Sequence, residues 1–453
     1  MPYSTMVTQP QPDRDAELDT LQAHVETALQ RAKKAGATAA EVSAHASQGL
    51  SVTVRLGQVE TLEHMQDRGI SVSVLIGRRS GHASSADLSR RTIEACVDKA
   101  MEIARYTQED PCNGLADAEL LATEFPDLDL WHPAVMDAQA AIERALTCEA
   151  AGREDQRITN SEGASFDAGL GLSVYGNSHG FIGRGAGTHF NQSCVLIAGK
   201  GDGMQRDYSY DSRRSLSELE PATQTGREAA RRTVQRLGAR KLKTGRMPVL
   251  FAPEVAKGLI GHLVGAISGS ALYRNASFLK GAAGQQIFPA WVTLTERPHL
   301  LRGAGSAVFD GEGVATRERN IVASGILQNY VLSSYSARRL GLQTTGNSGG
   351  VRNLLLQSSG GSSEDLMRAM HSGFYVTEVM GQGVSLVTGD YSRGAAGYLV
   401  ENGVISHPVE EVTIAGNLRD MFLDLLAAGS DFDTRGNIHT GAVRIGEMTV
   451  AGA

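Results

Sequence analysis

Between residues 15 and 35 apolar side chains recur at Leu18, Leu21, Val25 and Leu29, in steps of three and four ended by Gly36. This spacing predicts an amphipathic helix with a glycine stop. The period then changes to two. LSVTVRLG (50–57) sets Leu50, Val52, Val54 and Leu56 on one side, and GISVSVLIG (69–77) does the same with Ile70, Val72, Val74 and Ile76, so two half-buried strands are predicted. A second helix is expected over 87–106, where Leu88, Ile93, Val97, Ala100, Met101 and Ala104 share a side, and a third over 134–151, beyond a polar, acidic connector at 107–130. Residues 163–213, rich in Gly, Ser, aromatic and β-branched side chains, read as meandering strands with glycine turns. A basic helix over 222–238 leads to a strand at Met247–Phe251 and a glycine-rich helical run from Pro253 through Ser270. Further strands are expected between Gly303 and Tyr335 and between Phe374 and Val404, with short helices near 364–372 and 417–428.

Helix, meander, helix is an α+β order, with N-terminal helices packed on an antiparallel sheet. The C-terminal half reads as mostly β, carrying one glycine-rich helix. The expected division is a tail over 1–15, an N-terminal α+β domain over 16–240 and a C-terminal β-rich domain over 241–453. Composition supports this: 52 glycines stand against 12 prolines, as many tight turns between strands require.

Charge and cysteine content remove several classes of function. With 43 Lys+Arg against 50 Asp+Glu the net charge is −7, which disfavours wrapping a nucleic acid. The cluster Arg227, Arg231, Arg232, Arg236, Arg240, Lys241 and Lys243 is therefore read as a solvated helix face, no aromatics being interleaved. Cys96, Cys112, Cys148 and Cys194 are widely spaced, so reduced thiols are expected rather than a disulfide framework or zinc knuckle. The opening residues lack a charged-then-apolar leader, and no run approaches the ~18 apolar residues of a membrane span.

Standard catalytic constellations are absent. No two of the 12 histidines stand at i,i+4, and H-E-x-x-H does not occur. GNSGG (346–350) matches G-x-S-x-G around Ser348, but its surroundings read as a loop, whereas a nucleophile elbow needs a strand before and a helix after. GRGAG (183–187), GKGDG (199–203) and GAAG (281–284) lack the strand-to-helix setting of a phosphate loop and are better explained as turns.

Three segments carry a resemblance: GHLVGAISGSALYRNASFLKGAAGQQ (261–286), TTGNSGG (344–350) and TEVMGQGVSLVTGDYSRGAAGYLVENGVISHPVEEVTIAGNL (377–418). Together they resemble the TldE (PmbA) branch of the TldD/TldE metalloprotease family, and the likeness runs from about residue 16 to the end. The resemblance implies a cytoplasmic bacterial protein paired with a TldD-type paralogue, the pair cleaving small or unstructured peptides in leader-peptide removal and antitoxin degradation. In that family the TldD-type chain holds its metal, zinc or iron, with H-E-x-x-x-H on the helix that opens the C-terminal half and a cysteine near the C-terminus. Registered through SFLKGAAG (277–284), Ile260 takes the place of the first histidine, Gly261 that of the glutamate and Gly265 that of the second histidine, and none of these three can ligate a transition metal or act as a base. The cysteine's place falls near Thr440, in NIHTGAV (437–443), which also lacks a thiolate. No cofactor is therefore expected in this chain, nor any catalytic residue of its own. His262 follows the glutamate position and lies about 100° round the helix from it, which favours packing or hydrogen bonding, with a peptide contact as the functional alternative.

Hydrolysis is then expected in the partner, where a metal polarises the carbonyl and a glutamate activates water. This chain would contribute edge strands and glycine loops for an extended peptide. The candidate peptide contacts are His262, Asp390, Tyr391, Ser392 and Arg393, the alternative for the last four being a purely structural hairpin turn. The helix over 258–270 is expected to face the partner, with Gly258, Gly261, Gly265, Ala266 and Gly269 as a small-residue stripe and Leu259, Leu263, Val264 and Ile267 as apolar area. A homodimer is possible when the paralogue is missing. Two other classes stay open: a non-enzymatic, chaperone-like peptide-binding module, and an autonomous hydrolase using Ser348 or dispersed histidines such as His262 and His439.

Overall fold

A computed structural model describes residues 13–134 and 137–452. The expected tail over 1–15 lies outside the described residues as far as position 12, and its last part is corrected. Asp13 caps α1 (Arg14–Lys34), accepting hydrogen bonds from the N–H groups of Asp15 and Ala16 at 3.1 and 3.3 Å; an aspartate there satisfies donors the helix itself cannot.

The two predicted strands at 50–57 and 69–77 are parts of one long hairpin, β1 (Ala39–Arg55) and β2 (Gln58–Ile76), paired along their whole lengths. The turn is Leu56–Gly57, both at positive φ (51° and 76°), the conformation a two-residue hairpin loop needs. Alternation fades over 58–68 because that stretch of β2 is largely exposed. With β3 (Arg79–Ser85), β4 (Ile158–Asn177), β5 (Ile182–Ala198) and β6 (Gln205–Arg213) the hairpin forms an antiparallel sheet in the order β3-β2-β1-β4-β5-β6.

Even-numbered positions of β1 all turn to the same face, and four helices cover it. α1 and α2 (Arg90–Tyr106) pack over one end of the long strands with Leu21, Val25, Ile93 and Val97, while α3 (Ala138–Gly152) and α4 (Ala222–Gln235) cover the other, setting Ala141, Ala145 and Ala229 against Phe166 of β4 and Leu196 of β5. At Gly81 the approach of α2 is so close that a Cβ would stand 2.0 Å from the Ala100 carbonyl oxygen. Gly81→Ala is therefore expected to cost about 1–3 kcal/mol, measured as a lowered urea midpoint at unchanged slope.

The rest of the chain runs β7 (Gly245–Phe251), α5 (Pro253–Ala266), α6 (Gly269–Tyr273), β8 (Leu294–Glu296), β9 (Arg319–Ala323), β10 (Ile326–Leu327), α7 (Ser334–Leu340), β11 (Leu354–Leu356), α8 (Ser363–Met370), β12 (Gly373–Met380), β13 (Asp390–Glu401), β14 (Val404–Asn417), α9 (Leu418–Leu423), β15 (Leu425–Ala428), β16 (Ile438–His439) and β17 (Val443–Ala451). Strands β14-β13-β12-β7-β17 form a sheet that closes on itself, since β14 also pairs with β17; β15 extends it from β17. A smaller sheet has the order β10-β9-β8-β11-β16. In β7, Val249 and Phe251 join the core beneath α5, and Leu250 packs with Leu366, Met367 and Met370 of α8. Both faces of β7 are thus buried, which is why its sequence shows an apolar run instead of alternation. The molecule is α+β, its sheets mainly antiparallel.

Several expectations are corrected. The helical run from Pro253 to Ser270 breaks at Ser268, whose extended backbone and hydroxyl start α6 by accepting from the Ala271 N–H. The region between Gly303 and Tyr335 holds only β9 and β10, and the expected helix over 417–428 is α9 followed by β15. The basic cluster is not a solvated face throughout. Arg232 pairs with Glu254 at 2.8 Å and Arg236 with Glu378 at 2.5 Å, and both reach the buried Asp207, at 3.4 and 3.6 Å. These carboxylates come from β6, α5 and β12, distant in sequence, and they tie α4 to the C-terminal half.

Candidate functional site

α5 begins with Pro253 at its first turn and Glu254 beside it, both favourable at a helix N-terminus. Ile260 is fully buried in the core, along with Leu259, Leu263 and Ile267. The expectation that these leucines and Ile267 give apolar surface to a partner is thereby corrected: the chain's own strands use that area. Part of the glycine stripe is also filled from within. A Cβ on Gly265 would meet Leu386 Cδ1 at 2.9 Å, and one on Gly269 would meet the Ser336 hydroxyl at 2.2 Å; at Gly258 and Gly261 nothing lies within 4 Å. Gly265→Phe must displace at least the Leu386 side chain of the β12–β13 loop. A loss of about 1–3 kcal/mol is expected, with weaker co-purification of any partner seated on that loop; unchanged melting and co-purification would contradict it.

The structure brings three predicted contact residues together and separates two. The His262 ring meets the Tyr391 ring edge-on at 6.0 Å between centroids. Burial pushes the His262 pKa down, and the Arg393 guanidinium adds to this, so the imidazole is held neutral. Burial pushes the Tyr391 phenol up to about 12, against the opposing pull of Arg393. Arg393 Nε donates to the Met380 carbonyl at 3.0 Å. Asp390 and Ser392, by strand alternation, belong to the opposite face. Asp390 accepts from the Thr388 hydroxyl at 2.6 Å and pairs with Asn417 across β14, and the Ser392 N–H donates to the Gly383 carbonyl at 2.7 Å. Their contacts are those of the hairpin itself.

Thr440, fully buried, lies in the loop that follows β16. Asp433 N–H donates to its carbonyl at 3.1 Å, and the Asp433 carboxylate holds Lys257 of α5 at 2.6 Å and Arg435 at 2.8 Å. Arg435 also lies over the Tyr210 ring of β6, 4.2 Å from its centre. One turn before Ile260 and Gly261, then, α5 presents an ammonium already paired with a carboxylate of the 433–440 loop. No sequence motif marks this quartet; the available signal is a lysine among Val255, Ala256, Leu259 and Ile260 on an otherwise apolar stretch of helix. His439, also buried, places Nε2 2.8 Å from the Gly436 carbonyl oxygen. Burial lowers its pKa too.

Ser348 sits in a turn with glycines at positive φ on either side (Gly346, Gly349), and its N–H donates to Asp310 at 2.8 Å. No helix follows it, so a nucleophile elbow is not formed.

Family models match three consecutive stretches: PmbA/TldA metallopeptidase domain 1 over residues 40–104, the central domain over 131–237 and the C-terminal domain over 244–452. Metalloprotease PmbA of Escherichia coli O157:H7 is 49% identical over 97% of this chain and 97% of its own length. The chain belongs to the PmbA branch of the PmbA/TldD metallopeptidase family. The fold agrees with a crystal structure from Bacteroides thetaiotaomicron (TM-score 0.91, 28% identity, 98% of this chain and 100% of that one) and with TldE from Thermococcus kodakarensis (TM-score 0.83, 19% identity, 95% and 100%).

A metal is implied by the name metalloprotease, and the residues at the registered positions do not fit one. Ile260 is in the core, Gly261 and Gly265 have no side chain, and Thr440 offers a hydroxyl that donates to the Gly441 carbonyl at 2.9 Å. The nearby carboxylate is committed to Lys257 and Arg435. Among the described residues no group of three or more His, Cys, Asp or Glu could hold a metal ion.

Proposed function

We propose that this chain is the metal-free half of a cytoplasmic two-chain peptidase, holding small or unstructured peptides for cleavage by a TldD-type paralogue whose site binds zinc or iron. The observation that carries this reading is the combination of a family fold spanning nearly the whole chain with side chains that offer no donor at Ile260, Gly261 and Gly265 and no thiolate at Thr440. A member that keeps the fold without the ligands serves through contacts. The half-buried side chains of His262 and Arg393, packed around the buried Tyr391 and beside the uncovered glycines Gly258 and Gly261 of α5, supply one surface for them. The substrates this supports are peptides awaiting leader removal and antitoxins, both of which present extended backbone.

The test is metal analysis and a peptidase assay on the chain alone and after co-purification with its paralogue. The chain alone is expected to carry far less than one metal per molecule and to leave an unstructured peptide intact, while the assembled pair cleaves it and loses activity in chelator. Chelator-resistant cleavage by the chain alone would overturn the reading.

A further inference from the structure

A cavity of about 700 Å³ opens where the middle of β5 (His189) and the end of β6 (Ser212, Arg213) meet the 300–304 loop and the 434–439 segment. Four arginines line it: Arg213, Arg214, Arg302 and Arg435. Three already hold carboxylates. Arg213 pairs with Asp211 at 3.0 Å, Arg302 with Asp129 at 2.5 Å and also with Glu218, and Arg435 with Asp433 at 2.8 Å. Arg214 differs. Among the described residues it has no acidic partner; its guanidinium donates to the main-chain carbonyls of Thr188 and Ala304 at 3.2 and 2.7 Å. These bonds fix the plane of the group without neutralising it, and burial lowers its pKa, the mark of a charge held where water solvates it poorly. His189 and His439, also in the lining, are both pushed toward the neutral form by burial and so add hydrogen-bonding capacity, not charge.

We infer that this cavity is a carboxylate subsite whose anchor is Arg214. Among the described residues Arg214 is the one lining guanidinium with no carboxylate against it, Glu218 of the same lining being held by Arg302, and a planar guanidinium whose Nε–H is not spent on the main chain suits a carboxylate. The volume is that of a site for a molecule of many atoms, so the carboxylate arrives on a longer chain. It is either the C-terminus of a peptide or an Asp or Glu side chain within one. The inference rests on the peptide-holding reading above and adds to it a preference for acidic peptides.

The experiment measures binding to the full chain of four short labelled Gly/Ser/Ala peptides: one with a free C-terminus, one amidated, one amidated with a single Glu and one amidated with Gln in its place. At least one carboxylate-bearing peptide is expected to bind about tenfold more tightly than its neutral counterpart, the scale of one charge-assisted hydrogen-bonded pair. Which one does so tells the C-terminus from the side chain. Arg214→Gln is expected to abolish the difference, and Arg214→Lys to keep part of it. Equal affinities for all four peptides would overturn the carboxylate subsite and leave peptide holding intact, whereas no binding of any would overturn both. A preference that survives Arg214→Gln at unchanged melting temperature would overturn the role of Arg214. The four-peptide comparison on the unaltered chain needs no variant to fold.

Discussion

Asp433→Ala is expected to destabilise the protein by about 3–5 kcal/mol, the cost of leaving buried charges without their partner. The Asp433 side chain is only 2% exposed, and it is the shared counter-charge of Lys257 and Arg435, whose side chains are 18% and 20% exposed. Removing it sets two cations against each other between α5 and the 433–440 loop. The double variant Asp433→Ala, Lys257→Met should recover part of the loss, and urea denaturation of the single and double variants measures the coupling. A pH dependence accompanies this. Burial alone would raise the Asp433 pKa, but Arg435 and Lys257 more than reverse the effect and hold the carboxyl far below the usual value of 3.8. The folded-state pKa is depressed, so the contribution is complete above the unfolded pKa and is lost as pH falls below it, by up to about 1.4 kcal/mol per pH unit. Glu41 and Asp310 act in the opposite sense: burial raises both, so their protonation favours the folded state as pH falls. The difference between the unaltered chain and Asp433→Asn isolates the first effect. It should be flat above about pH 5 and shrink between about pH 4 and 2. A difference that grows on acidification would refute the assignment.

What could be read from the sequence follows from where each signal resides. Helices α1 to α4 and the strands around Val52 and Val72 declare themselves because one face of each is buried and the other wet, so period and burial coincide. Alternation disappears where both faces are buried or both are largely exposed: β7 is legible only from its short apolar run, and the outer part of β2, largely exposed, is not legible as strand. Short strands such as β8, β11 and β16, two or three residues long, have too few positions for a period to show and exist through their neighbours. The donor-less positions on α5 were legible because absence of a ligand is a property of the residue itself. The pairs that organise the site were not. Lys257 and Asp433 are 176 residues apart, and Arg232 finds Glu254 only because β7 returns α5 against α4. Nothing local marks Arg232 as buried and Arg231 as exposed; the carboxylates that meet them decide it.

The same substitution at two helix glycines is expected to change stability in opposite directions. On propensity alone, Gly→Ala in a helix interior gains roughly 0.5–1 kcal/mol, because alanine loses less backbone freedom on folding. Gly258 of α5 has nothing within 4 Å of where its Cβ would stand, so Gly258→Ala should realise that gain. Gly226 of α4 is different. A Cβ there would stand 2.0 Å from the Cys148 carbonyl oxygen and 2.9 Å from the Gly152 nitrogen of α3, while a Cβ on Gly152 would lie 2.8 Å from the Gly226 carbonyl. The two helices thus touch backbone to backbone, and no side-chain rotation relieves the clash. The pair must separate, opening the core that holds Ala141, Ala145 and Ala229, at an expected cost of about 3 kcal/mol for Gly226→Ala and more for Gly226→Val. Urea midpoints of Gly258→Ala and Gly226→Ala, measured side by side on the full chain, should move up and down respectively. Movement of both in the same direction would show that the α3–α4 crossing yields more easily than its backbone contacts imply, or that the open stretch of α5 is already filled.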